Sequence, residues 1–187
     1  MALQLPIPKE RVLHFAQQVD QASINAVTKA ILEINEDDDY IARLSEVHGF
    51  TYNPKPIELF VDSYGGYAYQ CLGLIGIIQN SKIPVHTIVT GCAMSCGFLI
   101  AITGHKRFAY NHSTFMYHQV SAGSIGKLKD MEDDVIETRR LQKFVEEHTL
   151  ATTKITKKEL EKCYDEKRDW YFTSKQALKN GIIDAII

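Results

Sequence analysis

The chain has 187 residues and a mass of 21.2 kDa, enough for one well-filled domain that needs no disulfide or metal to hold it together. Its 21 basic and 23 acidic residues leave a formal net charge of −2 without a basic cluster, which argues against nucleic acid or a membrane as partner. Four cysteines without a CxxC pair, and a start that lacks a signal-peptide pattern, predict a reducing, cytoplasmic compartment.

The first elements are a short strand and an amphipathic helix. Residues Val12–Phe15 have a strand pattern, and Asp20 is a suitable N-cap for the helix that follows. We expect this helix to end in the acidic run Glu36–Asp39, because such a run is typical of a solvated loop. Residues 40–54 are interpreted as an excursion between core elements.

Strands and helices alternate regularly after that point, and glycine-containing turns follow the strands. The predicted elements are strands at 57–61, 84–89, 106–110 and 114–117 and helices from 68 and over 95–103. This alternation favours an α/β fold with largely parallel strands. The uncharged stretch 87–104 is long enough to suggest a membrane span, but its glycines favour a buried strand, a turn and a buried helix.

Residues 119–150 are expected to project from the rest of the molecule. A glycine-rich stretch leads into a charged helix from Lys127 to about Leu150, whose apolar residues form one narrow stripe. Such a helix is roughly 36 Å long, and another subunit is the expected cover for its stripe. A capping box at Thr156 and a cap at Ser174 predict two short helices before a terminal strand over 182–187.

Ser95 is the leading candidate for a functional residue. It follows a buried strand and begins a buried helix, where free N–H groups and the helix dipole favour developing negative charge. The competing interpretation is that Ser95 simply caps its helix, and that role is the commoner one. His118, which leaves a strand into a glycine-rich loop, makes the two interpretations evenly balanced. A lipase-type elbow fits poorly because Ala93 occupies its first glycine position.

Histidines and cysteines could form a different kind of site. A metal site built from His86, Cys92, Cys96 and His105 is conceivable, but the spacing matches no common ligand pattern. The sequence therefore predicts no bound metal. His148 is assigned to an exposed helix position without a partner motif.

Four blocks in register resemble the ClpP family, the proteolytic subunit of the ATP-dependent Clp protease. They are Asp62–Gly66, Gly91–Gly97, Met116–Gln119 and the closing segment Arg168–Asp184. The resemblance extends from about Glu10 to Ile187. It implies an α/β fold of the ClpP/crotonase-like kind, a spiral of β-β-α units in one domain over 1–187. The head would comprise about 1–118 and 151–187, and the handle, for ring–ring contact, about 119–150.

The resemblance also implies a serine endopeptidase that hydrolyses unfolded polypeptides inside a self-made compartment. Ser95 matches the nucleophile, His118 the general base and Asp169 the acid that orients the histidine. Gly66 and Cys96 match the positions whose backbone N–H groups form the oxyanion hole. The subunit itself needs no cofactor, and ATP enters only through a partner AAA+ unfoldase.

The assembly implied by the resemblance is two stacked heptameric rings. The long helix matches the one that interleaves between rings, and Asp130 and Arg168 match a charged pair that couples ring contact to triad alignment. Asp165 lies four residues from Asp169 and is its rival as the triad acid.

Several positions depart from the family pattern. The gating segment before Lys9 is short, Glu58 stands where an aromatic residue is usual in the unfoldase groove, Tyr64 replaces a proline, and 36–54 is an insertion. Phe60 of that groove is retained. These departures leave unfoldase docking open while the hydrolytic residues are complete.

Two other functions compete with the peptidase. A catalytically silent ring subunit would typically lack a triad member, whereas all three are present here. A crotonase-type acyl-CoA enzyme would not need Ser95 and His118 together, and the chain has no separate adenine-binding signal.

Overall fold

The computed structural model describes residues 10–187, so the prediction about the segment before Lys9 lies outside the described residues. Seven strands and six helices occur in this range. Their bounds are β1 Val12–Phe15, α1 Gln21–His48, β2 Ile57–Ser63, α2 Ala68–Gln79, β3 Val85–Met94, α3 Cys96–Thr103, β4 Lys106–Ala109, β5 Thr114–Tyr117, α4 Leu128–Thr152, α5 Lys157–Asp165, β6 Trp170–Thr173, α6 Ser174–Lys179 and β7 Ala185–Ile186.

The sheet is parallel except for one strand pair. Strands β1, β2, β3, β4 and β7 lie side by side in that order and run parallel. The ten-residue β3 forks, because its first half pairs with β4 and its last three residues pair with β5. Strand β6 then joins β5 in the antiparallel direction. The α/β class with largely parallel strands is confirmed.

The core lies between this sheet and the helices packed on it. All eight residues of α3 are buried, and α2 packs against α3. Phe15, Phe98 and Phe115 are fully buried and fill the centre. The uncharged stretch 87–104 is thus a core strand followed by a core helix, which confirms the buried strand and the buried helix of the prediction but not the turn expected at 90–94 between them. Burial on all sides requires apolar residues throughout.

The prediction that the first helix ends in the acidic run Glu36–Asp39 is wrong, since α1 continues to His48. Asp38 in this run is only 2% exposed. Its Oδ2 accepts a 2.7 Å hydrogen bond from Arg11 Nη1, and the Tyr52 hydroxyl donates to its other oxygen. These partners replace the water that a carboxylate otherwise requires, so the helix can carry this acid along the core.

Other predicted boundaries also differ. The first part of the 40–54 segment is helical rather than an excursion, and Thr90–Met94 continues β3 instead of forming a turn. Thr173 rather than Ser174 caps α6, because Ser174 is buried and its hydroxyl donates to backbone carbonyls. The terminal strand is limited to Ala185–Ile186.

Helix α4 has the predicted length and charge pattern. Its 25 residues span about 37 Å. The buried residues are Leu141, His148 and Thr149, all in its second half. The apolar residues near its start are exposed: Leu128, Met131, Val135 and Ile136. Within residues 10–187 of a single chain, this part of the stripe stays exposed.

The assignment of His148 to an exposed position is wrong. Its side chain is 6% exposed, its Nε2 lies 2.8 Å from Thr103 Oγ1, and its ring stacks on Phe144. Burial lowers the pKa of His148, so the ring is kept neutral. This contact joins the second half of α4 to the core helix α3.

Candidate active site

Three strand ends meet at one edge of the sheet. Strands β3 and β5 are parallel and end together, with Met94 paired to Met116. Strand β6 is antiparallel to β5, so its first residue, Trp170, pairs with the last residue of β5, Tyr117. The residue that follows β3, the residue that follows β5 and the residue that precedes β6 are therefore close together. They are Ser95, His118 and Asp169.

Ser95 has a backbone conformation that is rare for a non-glycine residue, with φ 53° and ψ −121°. Such a conformation costs about 1–3 kcal/mol and persists only where the surroundings enforce it. The Ser95 N–H donates to Met116 O at 3.0 Å, which fixes the turn against β5. The side chain makes no capping hydrogen bond, so the capping interpretation is wrong. Instead Ser95 Oγ lies 2.8 Å from His118 Nε2.

Glycines allow this turn to pack closely against the end of β2. A Cβ atom on Gly65 would lie 2.7 Å from Ser95 Cβ, and one on Gly97 would lie 2.6 Å from Ser63 O. Both distances are shorter than real Cβ contacts. The glycines of the two motifs are therefore required by the approach of Ser95 to the β2 end.

Asp169 is the carboxylate beside His118. Its Oδ1 lies 3.4 Å from His118 Nδ1, just beyond the usual hydrogen-bond range. The Asp169 side chain is 53% exposed, whereas that of His118 is 27% exposed. Its rival Asp165 is the exposed last residue of α5 and has no contact with His118 among the described residues.

The two candidate oxyanion-hole residues lie next to each other. Cys96 Sγ donates to Gly66 O at 3.3 Å. Gly66 has φ 152°, and a Cβ there would lie 2.3 Å from Val19 O. The backbone hydrogen bonds that join Val19 to the Gly66 turn are donated by the N–H groups of Val19 and Tyr67. The Gly66 N–H takes part in neither of them. The Cys96 N–H begins α3, where N–H groups have no partner in the helix.

A cavity of about 220 Å³ opens beside Ser95 and His118. Its wall includes Gly66 and Cys96, so both candidate amides border the space in which a substrate carbonyl would lie. The rest of the wall is mostly apolar: Leu72, Phe98, Leu99, Leu141, Phe144 and Val145. Sequence reasoning assigned the last three to a stripe covered by another subunit. The types of the apolar residues in the sequence do not distinguish the buried end of that stripe from its exposed end.

Comparison with known proteins gives the family of this chain. The family described as Clp protease matches residues 4–187. The chain belongs to the Clp protease family. It is 29% identical over 182 residues to the ATP-dependent Clp protease proteolytic subunit 1 of Prochlorococcus marinus subsp. pastoris, covering 96% of this chain and 84% of that one. The ATP-dependent Clp protease proteolytic subunit of Porphyromonas gingivalis is 30% identical over 180 residues, which cover 95% of this chain and 74% of that one.

The resemblance to the ClpP family is therefore confirmed, and membership of the Clp protease family supports a protease. The mixed α/β fold, with its parallel sheet and long helix, is consistent with that family. A third relative, the ATP-dependent Clp protease proteolytic subunit of Deinococcus radiodurans, is 28% identical over 182 residues, with 96% of this chain and 81% of that one covered.

The family resemblance predicts a charged pair between Asp130 and Arg168, and this pair is not formed within one chain. Arg168 Nε lies 3.3 Å from Glu166 Oε2, and its guanidinium lies over the Trp170 ring at 5.3 Å from the centroid. Arg168 directly precedes Asp169, so a new partner for its guanidinium would act next to the candidate acid. The pairing of Asp130 and Arg168 stays a prediction about assembled subunits.

Residues 10–187 contain neither a metal-binding cluster nor a membrane-spanning helix. No cluster of three or more His, Cys, Asp or Glu side chains between residues 10 and 187 is arranged to hold a metal ion. In the same part of the chain, no helix has the length and apolar character needed to cross a membrane.

Proposed function

We propose that this protein is a serine-type endopeptidase with Ser95 as nucleophile, His118 as general base and Asp169 as the orienting acid. The observation that carries the proposal is the 2.8 Å contact between Ser95 Oγ and His118 Nε2 at the wall of an apolar cavity. Family membership supports peptide-bond hydrolysis, and this contact supports a serine mechanism for it.

The reaction begins with proton transfer from Ser95 to His118. As Nε2 takes the proton, Oγ attacks the carbonyl carbon of the peptide, and negative charge develops on the carbonyl oxygen. The N–H groups of Gly66 and Cys96 hold that oxygen. His118 then protonates the leaving amine, and a water molecule repeats the sequence to release the acyl group from Ser95.

Asp169 acts by orienting His118. A carboxylate at Nδ1 keeps the proton on that nitrogen, so the lone pair of Nε2 faces Ser95, and it stabilises the imidazolium that forms. The present 3.4 Å separation of Oδ1 and Nδ1 is loose for this role. We propose that contact between rings, through Asp130 and the neighbouring Arg168, shortens it, since catalytic hydrogen bonds are often long before the working complex forms.

The substrate class is unfolded polypeptide. We propose that an extended peptide adds as a strand along the glycine-rich segment 119–126, which leaves β5 without regular structure, and along 66–68 on the other side. The apolar cavity then receives one side chain next to the bond that is cleaved. Folded proteins present no such free strand.

Access to the site is restricted by assembly. We propose two stacked heptameric rings, with the head forming the rings and the 119–150 handle interleaving between them. The exposed apolar start of α4 supports this, because it needs cover from another copy. We propose that the subunit needs no cofactor and that ATP acts through an AAA+ unfoldase, which the name ATP-dependent of the relatives supports. A cytoplasmic location stays a prediction.

The test is labelling with a fluorophosphonate, which reacts with activated serines. Wild type is compared with Ser95→Ala and with Ser45→Ala, a control on α1 remote from the site. We expect labelling of wild type and the control only, on a particle far larger than 21.2 kDa by sedimentation. Labelling that survives Ser95→Ala would reject the nucleophile. An assembled wild type that is never labelled would favour the silent ring subunit.

The acid is tested with a matched pair of variants. Asp169→Asn should lower kcat by up to about 10⁴-fold, because an amide favours the wrong tautomer of His118. Asp165→Asn should leave kcat unchanged, since this residue is exposed and the carboxylate paired with His118 is that of Asp169. The opposite pattern would assign the role to Asp165.

A further inference from the structure

Cys71 and Cys96 form a pair of thiols at the wall of the active-site cavity. Cys71 lies in α2 and Cys96 is the first residue of α3, and they are 1% and 6% exposed to solvent. All four cysteines of the chain are free, and Cys71 Sγ lies 3.4 Å from the backbone oxygen of Cys96, so the two residues are neighbours. Both border the cavity of about 220 Å³ whose wall includes Ser95, so a small molecule in that cavity would lie next to them.

The two S–H groups connect the residues of the proposed oxyanion hole. Cys71 Sγ donates to Cys96 O at 3.4 Å, and Cys96 Sγ donates to Gly66 O at 3.3 Å. This short chain of hydrogen bonds links α2, the start of α3 and the Gly66 turn. A disulfide carries no S–H, so its formation would remove both hydrogen bonds at once.

The two thiols differ in reactivity. The neighbouring Cys71 side chain lowers the pKa of the Cys96 thiol, against the effect of burial, and the Gly66 backbone and the Ser95 side chain lower it further. The Cys96 side chain, together with burial, raises the pKa of the Cys71 thiol. Cys96 is therefore the thiol that reacts first, and Cys71 is placed to resolve the product.

We propose that Cys71 and Cys96 are a hydroperoxide-sensitive pair that closes to a disulfide and reversibly lowers the activity of Ser95. This regulation rests on the proposed function. The Cys96 thiolate attacks one peroxide oxygen, the O–O bond breaks, and the other oxygen leaves and takes a proton, giving a sulfenic acid. Cys71 then attacks the Cys96 sulfur, the S–O bond breaks, and water leaves. Two thiols lose two electrons and the hydroperoxide gains two, with an alcohol or water and one further water as products.

Activity falls because the bond moves an oxyanion-hole residue. The two sulfur atoms are not bonded in this structure and must come to about 2.04 Å of each other, which shifts Cys96 or Cys71 from its present position. The Cys96 N–H is adjacent to Ser95 in the chain and shifts with it. A displacement of about 1 Å in a catalytic site costs about 10²-fold in rate. We therefore expect a loss of about this size.

The experiment treats the purified, assembled protein with hydrogen peroxide, blocks free thiols with N-ethylmaleimide and identifies linked peptides by mass spectrometry. We expect a Cys71–Cys96 cross-link and a fluorophosphonate labelling rate about 100-fold lower, with both reversed by dithiothreitol. Cys92→Ala, at another buried cysteine, should behave as wild type. Cys71→Ala should form no cross-link, and dithiothreitol should not fully restore its labelling to its own untreated rate, because a Cys96 sulfenic acid without a resolving thiol is oxidised further to sulfinic acid.

Three outcomes would overturn the inference. One is the absence of a Cys71–Cys96 cross-link while Cys96 is oxidised further, and another is a cross-link that leaves the labelling rate unchanged. The third is a cross-link in a protein whose reduced form is never labelled. That result would reject the proposed function and the regulation with it, whereas the first two leave the function standing.

Discussion

Helices α1 and α4 are similar in length but differ in what covers their apolar residues. The 28-residue α1 buries apolar side chains along most of its length, from Ile24 to Ile41. The 25-residue α4 buries only residues of its second half, and Val135 and Ile136 in its first half are 52% and 64% exposed. The rest of the same chain covers α1, whereas the start of α4 needs another surface.

The difference shows where the stability of each helix originates. Even the acidic part of α1 is held by its own chain, through Asp38 and Arg11. The first half of α4 has exposed ion pairs within the helix, such as Lys129 with Glu132, and pairs of this kind contribute little. The fold of α1 should therefore be independent of assembly, while the apolar start of α4 should control it.

The largest effect is expected for Asp38→Ala. Removing this carboxylate leaves the Arg11 guanidinium, whose side chain is 13% exposed, without its charged partner. Breaking a buried ion pair from one side costs about 3–5 kcal/mol of unfolding free energy. Urea unfolding at a fixed protein concentration measures the loss, since assembly makes apparent stability concentration-dependent.

The neighbouring acid provides the control. Asp39 pairs with Lys82 at the surface, where the two side chains are 40% and 68% exposed, so Asp39→Ala should cost less than about 1 kcal/mol. Equal losses for the two variants would show that burial of Asp38 contributes nothing special to α1.

The same acidic run marks the limit of sequence reasoning about the fold. The start of α1 was predictable because Asp20 and Ser23 form a capping box at a fixed local spacing. The end of α1 was not predictable, because the buried Asp38 carboxylate accepts hydrogen bonds from Arg11, 27 residues earlier, and Tyr52, 14 residues later. The local sequence shows that a residue is charged, but it does not show the distant side chain that neutralises the charge.

An intermediate effect is expected from pH, through His148 in the second half of α4. Burial lowers the folded-state pKa of His148 below its ordinary value of 6.5, so the unfolded chain binds the proton first. Its contribution to stability is present above pH 6.5 and is lost as pH falls below that value. The loss reaches at most about 1.4 kcal/mol per pH unit.

Urea unfolding between pH 7.5 and 5.5 measures this slope, and His148→Gln is the variant to compare. We expect a smaller slope in the variant, with a remainder from His86, whose pKa burial also lowers. Identical slopes would mean that His148 is not the group that links α4 packing to pH.

In the candidate site, too, some residues could be predicted from local sequence and others depend on long-range contacts. Ser95 and His118 could be singled out as candidates because each follows a predicted strand, but the local pattern left capping and catalysis evenly balanced for Ser95, and the family resemblance assigned the roles. The choice of Asp169 over Asp165 was not available locally, since it depends on β6, a strand that the sequence reasoning did not predict. The antiparallel register of β6 on β5 pairs Trp170 with Tyr117 and so places Asp169 beside His118.

The smallest effect on the fold is expected for Val135→Glu, at the exposed start of α4. Because Val135 is 52% exposed in the single chain, the substitution should change the stability of the isolated subunit by less than about 0.5 kcal/mol. The same charge should prevent assembly, because an unpaired carboxylate in an apolar contact is costly. We expect unchanged helix content by circular dichroism and a much smaller particle by sedimentation velocity. Asp133→Asn, on an exposed side chain of the same helix, should leave the particle intact. A Val135→Glu protein that keeps its full particle size would show that the exposed stripe of α4 is not the surface that joins subunits, and the contrast with α1 would then need another explanation.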